Sequence, residues 1–159
     1  MSPVRVRLSG EGETIALGRA LAPLMDRGVA LCLFGELGAG KSTLARALIR
    51  ALTRPDEDVP SPTFTLVQTY EGALALAHFD LYRLGDASEV DELGLHEALE
   101  DGAVIIEWPE RLDGDLPPDR IEVHLSHAGE GREARLEGHG RVRAGLGDAF
   151  LSAGLDEVT

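Results

Sequence analysis

The chain has 159 residues, 43% of them apolar, which is enough for one hydrophobic core and too little for two ordinary domains. Its formal net charge of −13 opposes direct binding of nucleic acid, because such binding depends on neutralising phosphates with lysine and arginine. No apolar run approaches the roughly 18 residues of a membrane span, and the N-terminus lacks the apolar stretch of a signal peptide. We therefore expect a single cytoplasmic domain that contacts no membrane and meets RNA only through a partner.

Hydrophobic periodicity predicts alternating strands and helices in the first third of the chain. Cys32, the only cysteine, lies in an apolar run and is expected to be buried and unreactive, so disulfides are excluded. In chain order we predict a strand from Pro3 to Leu8, a helix from Thr14 to about Gly28 with its last turn disturbed at Pro23, a buried strand from Val29 to Phe34, and a helix carrying Leu44, Leu48 and Leu52.

The remaining two thirds also alternate, with shorter elements. Two strands separated by Glu71 and Gly72 have the spacing of a two-residue hairpin. The predicted elements are strands from Phe64 to Tyr70 and Ala73 to Phe79, short acidic helices at 88–93 and 95–99, a buried strand from Ala103 to Ile106, strands from Arg120 to Leu125 and Glu133 to Glu137, and a glycine-weakened helix from Ala144 to Leu155.

One motif carries clear chemistry, a glycine-rich loop between a predicted strand and a predicted helix. It reads Gly35-Glu36-Leu37-Gly38-Ala39-Gly40-Lys41-Ser42 and fits the phosphate-loop pattern G-x-x-x-x-G-K-[ST]. Glycines let backbone N–H groups converge on a phosphate, and the helix that follows points its positive end at the same anion. Lys41, the only lysine, is predicted to reach the β- and γ-phosphate oxygens, and the Ser42 hydroxyl is predicted to bind Mg²⁺.

A phosphate-bound Mg²⁺ also needs a carboxylate, usually at the exposed end of a neighbouring strand. Asp80 and Glu107 each follow an apolar run of strand length and are the two candidates. An acidic residue at a strand end is ordinarily a solvated terminus. The phosphate loop makes a functional role the better interpretation for both.

Other polar residues leave two readings open. The segment Ser61-Pro62-Thr63-Phe64-Thr65 is either a nucleotide-sensing switch or an ordinary turn. Arg83 and Arg111 could stabilise charge on a γ-phosphate, but each alone is better explained as a surface ion-pair partner. The five histidines form no convincing metal set, since His124 and His127 are three apart and would not share a strand face.

Four sequence blocks together resemble the bacterial TsaE (YjeE) family, the ATPases of tRNA threonylcarbamoyladenosine biosynthesis. The phosphate loop alone does not discriminate this family, whereas the later blocks in this order do. The resemblance covers about residues 9 to 137 and rests on Gly35 to Thr43, Ser61-Pro62-Thr63-Phe64-Thr65-Leu66-Val67, His78-Phe79-Asp80-Leu81-Tyr82-Arg83-Leu84 and Glu107-Trp108-Pro109-Glu110-Arg111.

The resemblance implies an α/β fold of the P-loop NTPase type, a three-layer sandwich with a mixed central sheet flanked by helices. It implies Mg²⁺-dependent ATP hydrolysis in support of two paralogous partner subunits, which attach threonylcarbamoyl to the adenosine beside the anticodon of tRNAs reading codons that begin with A. Residues carried over are phosphate-binding Gly38, Ala39, Gly40, Lys41, Ser42 and Thr43, the Mg²⁺ ligands Ser42 and Glu107, Asp80 for hydrolysis, and Glu11 and Arg132 at the adenosine end. Residues 138–159 match nothing, and their role is open.

Two other classes share the phosphate loop. A small-molecule kinase would need an arginine-rich lid, but the segment from Leu84 to Gly102 is acidic. A GTPase is disfavoured because guanine is commonly read by an Asn-Lys-x-Asp motif, and the only lysine is in the phosphate loop. A nucleotide-dependent binding module with little turnover stays open, because hydrolysis depends on how a water molecule is placed.

Overall fold

The central feature of the fold is one mixed sheet. The computed structural model describes residues 3–62, 65–86, 88–142, 146 and 155–157. Its strands are β1 (Val4–Leu8), β2 (Ala30–Phe34), β3 (Val67–Glu71), β4 (Ala75–Asp80), β5 (Ala103–Glu107), β6 (Arg120–Ala128), β7 (Gly131–His139) and β8 (Asp156–Glu157). They lie in the order β3-β4-β5-β2-β6-β7-β1-β8. Strand β2 is parallel to β5 and β6, and β4 is parallel to β5, whereas the other neighbouring pairs are antiparallel.

Helices cover both faces of this sheet. They are α1 (Glu11–Leu21), α2 (Lys41–Leu52), α3 (Glu89–Glu92) and α4 (Leu95–Asp101), with 3₁₀ segments at Ala22–Leu24, Pro109–Leu112 and Gly140–Val142. Leu17 of α1 and Leu48 of α2 belong to one buried cluster, and Val90 of α3 and Leu95 of α4 belong to the other. The predicted three-layer α/β arrangement with a mixed sheet is therefore confirmed.

Strand β2 lies in the middle of the sheet and faces both clusters. Leu31 and Leu33 pack on the α1–α2 side, and Ala30 and Cys32 pack on the opposite side. Burial on both faces explains why this strand is a continuous apolar run. Burial, with a smaller contribution from the charge of Glu122, raises the pKa of the Cys32 thiol to about 12, which confirms the buried cysteine that the sequence predicted.

The first helix ends earlier than its hydrophobic spacing predicted. Helix α1 stops at Leu21, and Pro23 lies in the following 3₁₀ segment, as its missing N–H favours. Gly28 is not the helix cap that we expected. Its N–H donates to the Gly102 carbonyl at 2.9 Å, and its positive φ of 85° fits a turn into β2 instead.

The hairpin of β3 and β4 forms, but not with the predicted two-residue turn. Glu71 pairs with Ala75, so the loop has three residues, Gly72, Ala73 and Leu74. The loop lies against the end of α2, where the Ala73 N–H donates to the Leu52 carbonyl at 3.0 Å. A Cβ on Gly72 would lie 2.2 Å from that same carbonyl oxygen, so this glycine permits a close approach.

The C-terminal part of the chain contributes more to the sheet than predicted. Strands β6 and β7 each have nine residues, and β7 includes Gly138 and His139. The short strand β8 pairs with β1, so part of the segment 138–159 joins the sheet. Most of the predicted helix from Ala144 to Leu155 lies outside the described residues. No helix in the described part of the chain is long and apolar enough to cross a membrane.

Candidate nucleotide site

The predicted phosphate loop connects β2 to the start of α2 and depends on left-handed backbone at two glycines. Gly38 has a φ of 81° and Gly40 a φ of 105°, values that residues with a Cβ rarely adopt. Gly40 directly precedes the first turn of α2. The N-terminus of this 12-residue helix presents unpaired backbone N–H groups and a positive dipole end beside the loop, which suits an anion.

Lys41 is buried at the start of α2 and points into the loop. Its ammonium group donates to the Gly35 carbonyl and lies 3.5 Å from the centre of the Trp108 ring. Burial lowers the pKa of Lys41, and the carboxylates of Glu107, Glu110 and Asp80 oppose this shift. A phosphate group at the loop would add negative charge and favour the protonated amine further.

A cavity of about 440 Å³ opens above the loop, the first turn of α2 and the carboxyl ends of β4 and β5. It joins residues that are far apart in the sequence. The lining residues are Leu8, Gly10, Glu11, Thr14, Leu37, Gly38, Gly40, Lys41, Ser42, Thr43, Ser61, Asp80, Glu107, Trp108 and Arg132. The residues that the family resemblance assigned to nucleotide or Mg²⁺ all line this cavity except Ala39.

Asp80 and Glu107 end neighbouring parallel strands and occupy paired register positions. Both side chains are buried, at 5% and 3% exposure, although each is a carboxylate. An Asp80 carboxylate oxygen accepts the Tyr82 N–H at 3.1 Å, and Glu107 Oε2 lies 2.6 Å from His78 Nε2. Buried carboxylates at adjacent strand ends, next to a phosphate loop, are the arrangement that phosphate-bound Mg²⁺ requires.

The opposite wall of the cavity comes from α1 and β7. Glu11 begins α1 and is exposed, whereas Thr14, one turn later, is buried. Arg132 of β7 donates through Nη2 to the Gly38 carbonyl at 2.7 Å, which places its guanidinium against the phosphate loop itself. Its Nε is buried and has no hydrogen-bond partner among the described residues. A buried donor of this kind needs an acceptor, which a water molecule or a ligand supplies.

Three other candidates lie elsewhere. The Ala39 methyl group is buried in the core and its N–H donates to the Glu36 carbonyl at 3.1 Å. Arg83 and Arg111 are exposed and are not among the described residues that line the cavity. Ser61 does line it, whereas Thr63 and Phe64 of the predicted switch segment lie outside the described residues.

Sequence reasoning missed Trp108, which lines the cavity, and His78, which contacts the cavity residue Glu107. His78 lies two residues before Asp80 on β4, so the two side chains share a face, a periodicity that could have placed it near the metal carboxylates. Trp108 follows Glu107 with a φ of 60°, and its ring contacts both the Lys41 ammonium and Tyr82. The centroids of the Tyr82 and Trp108 rings lie 4.8 Å apart. No spacing rule in the sequence predicts that contact.

The ionisable residues of the cavity lie in three places. Lys41 and Arg132 are basic residues at the loop, Asp80 and Glu107 are acidic residues at the strand ends, and Glu11 is an acidic residue at the start of α1. A phosphate chain on the loop would repel the two carboxylates unless a cation lay between them. Ser42 and Glu107 offer a hydroxyl and a carboxylate, the oxygen ligands that Mg²⁺ prefers. The residues present therefore fit a nucleotide phosphate together with Mg²⁺.

Comparisons with known proteins agree on one family. The family model described as threonylcarbamoyl adenosine biosynthesis protein TsaE matches residues 8–135. The chain is 40% identical over 119 residues to the tRNA threonylcarbamoyladenosine biosynthesis protein TsaE of Rickettsia conorii, covering 74% of this chain and 68% of that protein. It is 36% identical over 134 residues to TsaE of Bacillus subtilis, covering 82% of each. The crystal structure of Bacillus subtilis YdiB matches with a TM-score of 0.76 at 26% identity, covering 97% of this chain and 96% of that one. The chain therefore belongs to the TsaE family of tRNA threonylcarbamoyladenosine biosynthesis proteins.

Proposed function

We propose that this chain binds and hydrolyses ATP in support of the complex that forms N6-threonylcarbamoyladenosine in tRNA. One observation carries the proposal: the phosphate loop, Asp80 and Glu107 face a single cavity from three separate parts of the chain. The modified adenosine lies beside the anticodon of tRNAs that read codons beginning with A. The protein works in the cytoplasm with two paralogous subunits of the threonylcarbamoyl-transferase complex, and tRNA reaches it through those subunits.

The loop and α2 hold the phosphates. Backbone N–H groups of Gly38, Gly40, Lys41, Ser42 and Thr43, with the Lys41 ammonium, bind the β- and γ-phosphates, while the Ala39 N–H holds the loop through the Glu36 carbonyl. When a nucleotide binds, the Lys41 ammonium leaves the Gly35 carbonyl and the Trp108 ring, which it contacts in this structure, and contacts phosphate oxygens instead. Arg132 keeps the loop in place through Gly38, and its buried Nε is available to the nucleotide. Glu11 contributes to the adenosine end of the site.

The two carboxylates have different tasks. Ser42 and Glu107 hold Mg²⁺, and Asp80, next to Glu107, orients the attacking water. When bound, Mg²⁺ neutralises the charge of the β- and γ-phosphate oxygens during transfer. His78 holds one oxygen of Glu107 and so fixes the direction of the other. Trp108 lines the cavity with its ring against the Lys41 ammonium, and the Tyr82 ring packs on Trp108.

The decisive experiment measures ATP hydrolysis under three conditions: the chain alone, the chain with the two partner subunits, and the chain with those subunits and tRNA. We expect turnover to rise when the partners are added, and Lys41→Ala to abolish it in every condition without unfolding the protein. Near wild-type turnover in a folded Lys41→Ala protein would contradict the assignment. Turnover that rises equally with unrelated proteins would contradict the role of the partners.

A further inference from the structure

A second groove lies beside the nucleotide cavity and shares two residues with it. This groove, hereafter the Tyr82 groove, has a volume of about 740 Å³ and is lined by the phosphate loop, by residues that follow β4 and β5, and by the second half of β6. Leu37 and Trp108 line both spaces. These two residues therefore lie between the Tyr82 groove and the nucleotide cavity.

The Tyr82 groove gathers the exposed apolar surface of the protein. Among the residues that the structure describes, the large apolar side chains that are exposed are Leu37 at 67% and Tyr82 at 39%. Both line this groove, and the Tyr82 ring packs on the half-buried Trp108. A single exposed apolar side chain is ordinary on a protein surface, whereas several that converge with a tryptophan in one groove are typical of an interaction surface.

The charged side chains of the groove are acidic. Glu36 and Glu110 are exposed, and the described residues that line the groove include no lysine or arginine. Such a surface repels a phosphate backbone, and a second copy of this chain, with the same net charge of −13, is also repelled. Apolar surface flanked by acidic side chains instead complements a protein segment in which an apolar residue lies next to a lysine or arginine.

Trp108 connects this groove to the lysine of the phosphate loop. Its ring contacts Tyr82 and also the Lys41 ammonium, which lies 3.5 Å from the ring centre. Burial lowers the pKa of Lys41, and the carboxylate of Glu110 is among those that oppose this shift. A partner that packs on Trp108 and neutralises Glu110 would therefore change the surroundings of Lys41 without entering the nucleotide cavity.

We propose that the Tyr82 groove is the docking site for one of the two partner subunits, which inserts a segment with an apolar side chain next to a lysine or arginine. The apolar side chain packs on Leu37 and Tyr82, and the cation lies near Glu36 and Glu110. This inference rests on the proposed function, which supplies the partner. It adds the surface through which that partner acts on ATP turnover.

The test reverses the charge at His127, which is exposed, lines the groove and is not among the residues that line the nucleotide cavity. Titration calorimetry measures the affinity of the full-length chain, loaded with Mg²⁺ and a non-hydrolysable ATP analogue, for the purified complex of the two partner subunits. We expect His127→Arg to weaken this affinity by about threefold and His127→Glu to strengthen it by a similar factor, because each charge acts on the inserted cation. ATP turnover at a subsaturating concentration of the partner complex should change in the same direction.

Two further variants identify the surface and its occupant. Glu100→Gln raises the net charge by one unit, as His127→Arg does, but lies outside the groove and should keep wild-type affinity. Ser126 is exposed in the groove, so Ser126→Cys adds a thiol that can be labelled selectively, since Cys32 is buried and its pKa is raised to about 12. A photo-crosslinker on that thiol should join a partner peptide that has an apolar residue next to lysine or arginine.

The outcomes separate this inference from the proposed function. If the wild-type chain binds the partner complex and both His127 variants bind it equally well, the groove is not the docking site, and the proposed function stands. An equal loss in Glu100→Gln would show an effect of net charge alone and would also overturn the groove. A crosslink to tRNA, to a second copy of the chain or to a segment without lysine or arginine would overturn the assigned occupant. No binding of the wild-type chain to the partner complex would contradict the proposed function itself.

Discussion

His78 Nε2 lies 2.6 Å from Glu107 Oε2 across the parallel strands β4 and β5, and both side chains are buried at about 3% exposure. The contact holds one oxygen of Glu107, so the other oxygen is left for the cavity. A histidine that orients a metal-binding carboxylate from the second sphere commonly raises metal affinity 10- to 100-fold. His78 is therefore a positioning residue for the proposed Mg²⁺ ligand.

We predict that His78→Ala lowers the affinity for Mg²⁺-ATP by about 10- to 100-fold and leaves the affinity for metal-free ATP nearly unchanged. The reason is that the loop and Lys41 still bind phosphate, while Glu107 loses its fixed direction. The readout is the fluorescence of Trp108, the only tryptophan of the chain, which lies at the Lys41 ammonium. His78→Gln retains an N–H donor and should recover part of the Mg²⁺ dependence. An equal loss with and without Mg²⁺ would indicate a purely structural role.

The segment from Ser61 to Thr65 is expected to respond to the γ-phosphate, and Leu66 follows it directly. Ser61 lines the nucleotide cavity, and the Leu66 N–H donates to the Pro62 carbonyl at 2.7 Å, with Leu66 at a φ of 69°. A left-handed leucine costs of order 1–3 kcal/mol, so this conformation is open to change when new contacts form. Amides of this segment should exchange more slowly with a non-hydrolysable ATP analogue than with ADP. Identical exchange in the two states would leave it an ordinary turn.

The sequence predicted the strands and helices that form the layers because burial imposes periodicity on them. Strand β2 was recognisable as a continuous apolar run, and the carboxylates Asp80 and Glu107 were recognisable because each ends such a run. Loop contacts were not predictable. The three-residue hairpin loop depends on the Leu52 carbonyl at the end of α2, which is distant in sequence from Gly72.

The parts of the site that were missed depend on neighbours across the sheet. The contact of His78 with Glu107 follows from the pairing of β4 with β5, and the ion pair of His139 with Glu122 follows from the register of β6 with β7. Spacing along a single strand cannot show either. It could show that His124 and His127 do not share a face, but not that Glu137 from the next strand approaches His124.

Glu122 should make the stability of the protein depend on pH. Burial raises its folded-state pKa from 4.5, but hydrogen bonds from His124 and Arg120, together with the charges of Arg120 and His139, lower this pKa by more, so the net shift is downward. A lowered pKa contributes stability that is present above pH 4.5 and is lost as the pH falls through the folded-state value. Glu122→Gln should therefore lower the free energy of unfolding at pH 7 by about 1–3 kcal/mol. The difference from wild type should shrink below pH 4.5.

Denaturant titrations of both proteins across this pH range provide the measurement. Glu100→Gln is the matched control, since Glu100 pairs with His96 at the surface, where its side chain is 66% exposed and the pair is worth little. A constant difference between Glu122→Gln and wild type from pH 7 down to pH 3 would contradict the assigned role of the carboxylate.

Finally, tRNA should not bind the isolated chain. With a net charge of −13, binding would need a cluster of cations, and Arg132, Arg135, Arg141 and Arg143 are the candidates that the sequence offers near its C-terminus. The three that the structure describes are engaged: Arg132 with the Gly38 carbonyl, Arg135 with Glu137, and Arg141 with Asp119 and the Arg27 carbonyl. The charges of Arg135 and Arg141 are thus partly neutralised by carboxylates, and Arg132 is engaged by the phosphate loop.

Filter binding at physiological salt and low micromolar protein should detect no complex with unmodified tRNA until the two partner subunits are added. Salt-sensitive binding by the chain alone, weakened in Arg135→Ala or Arg141→Ala, would show that these arginines leave their partners for phosphates.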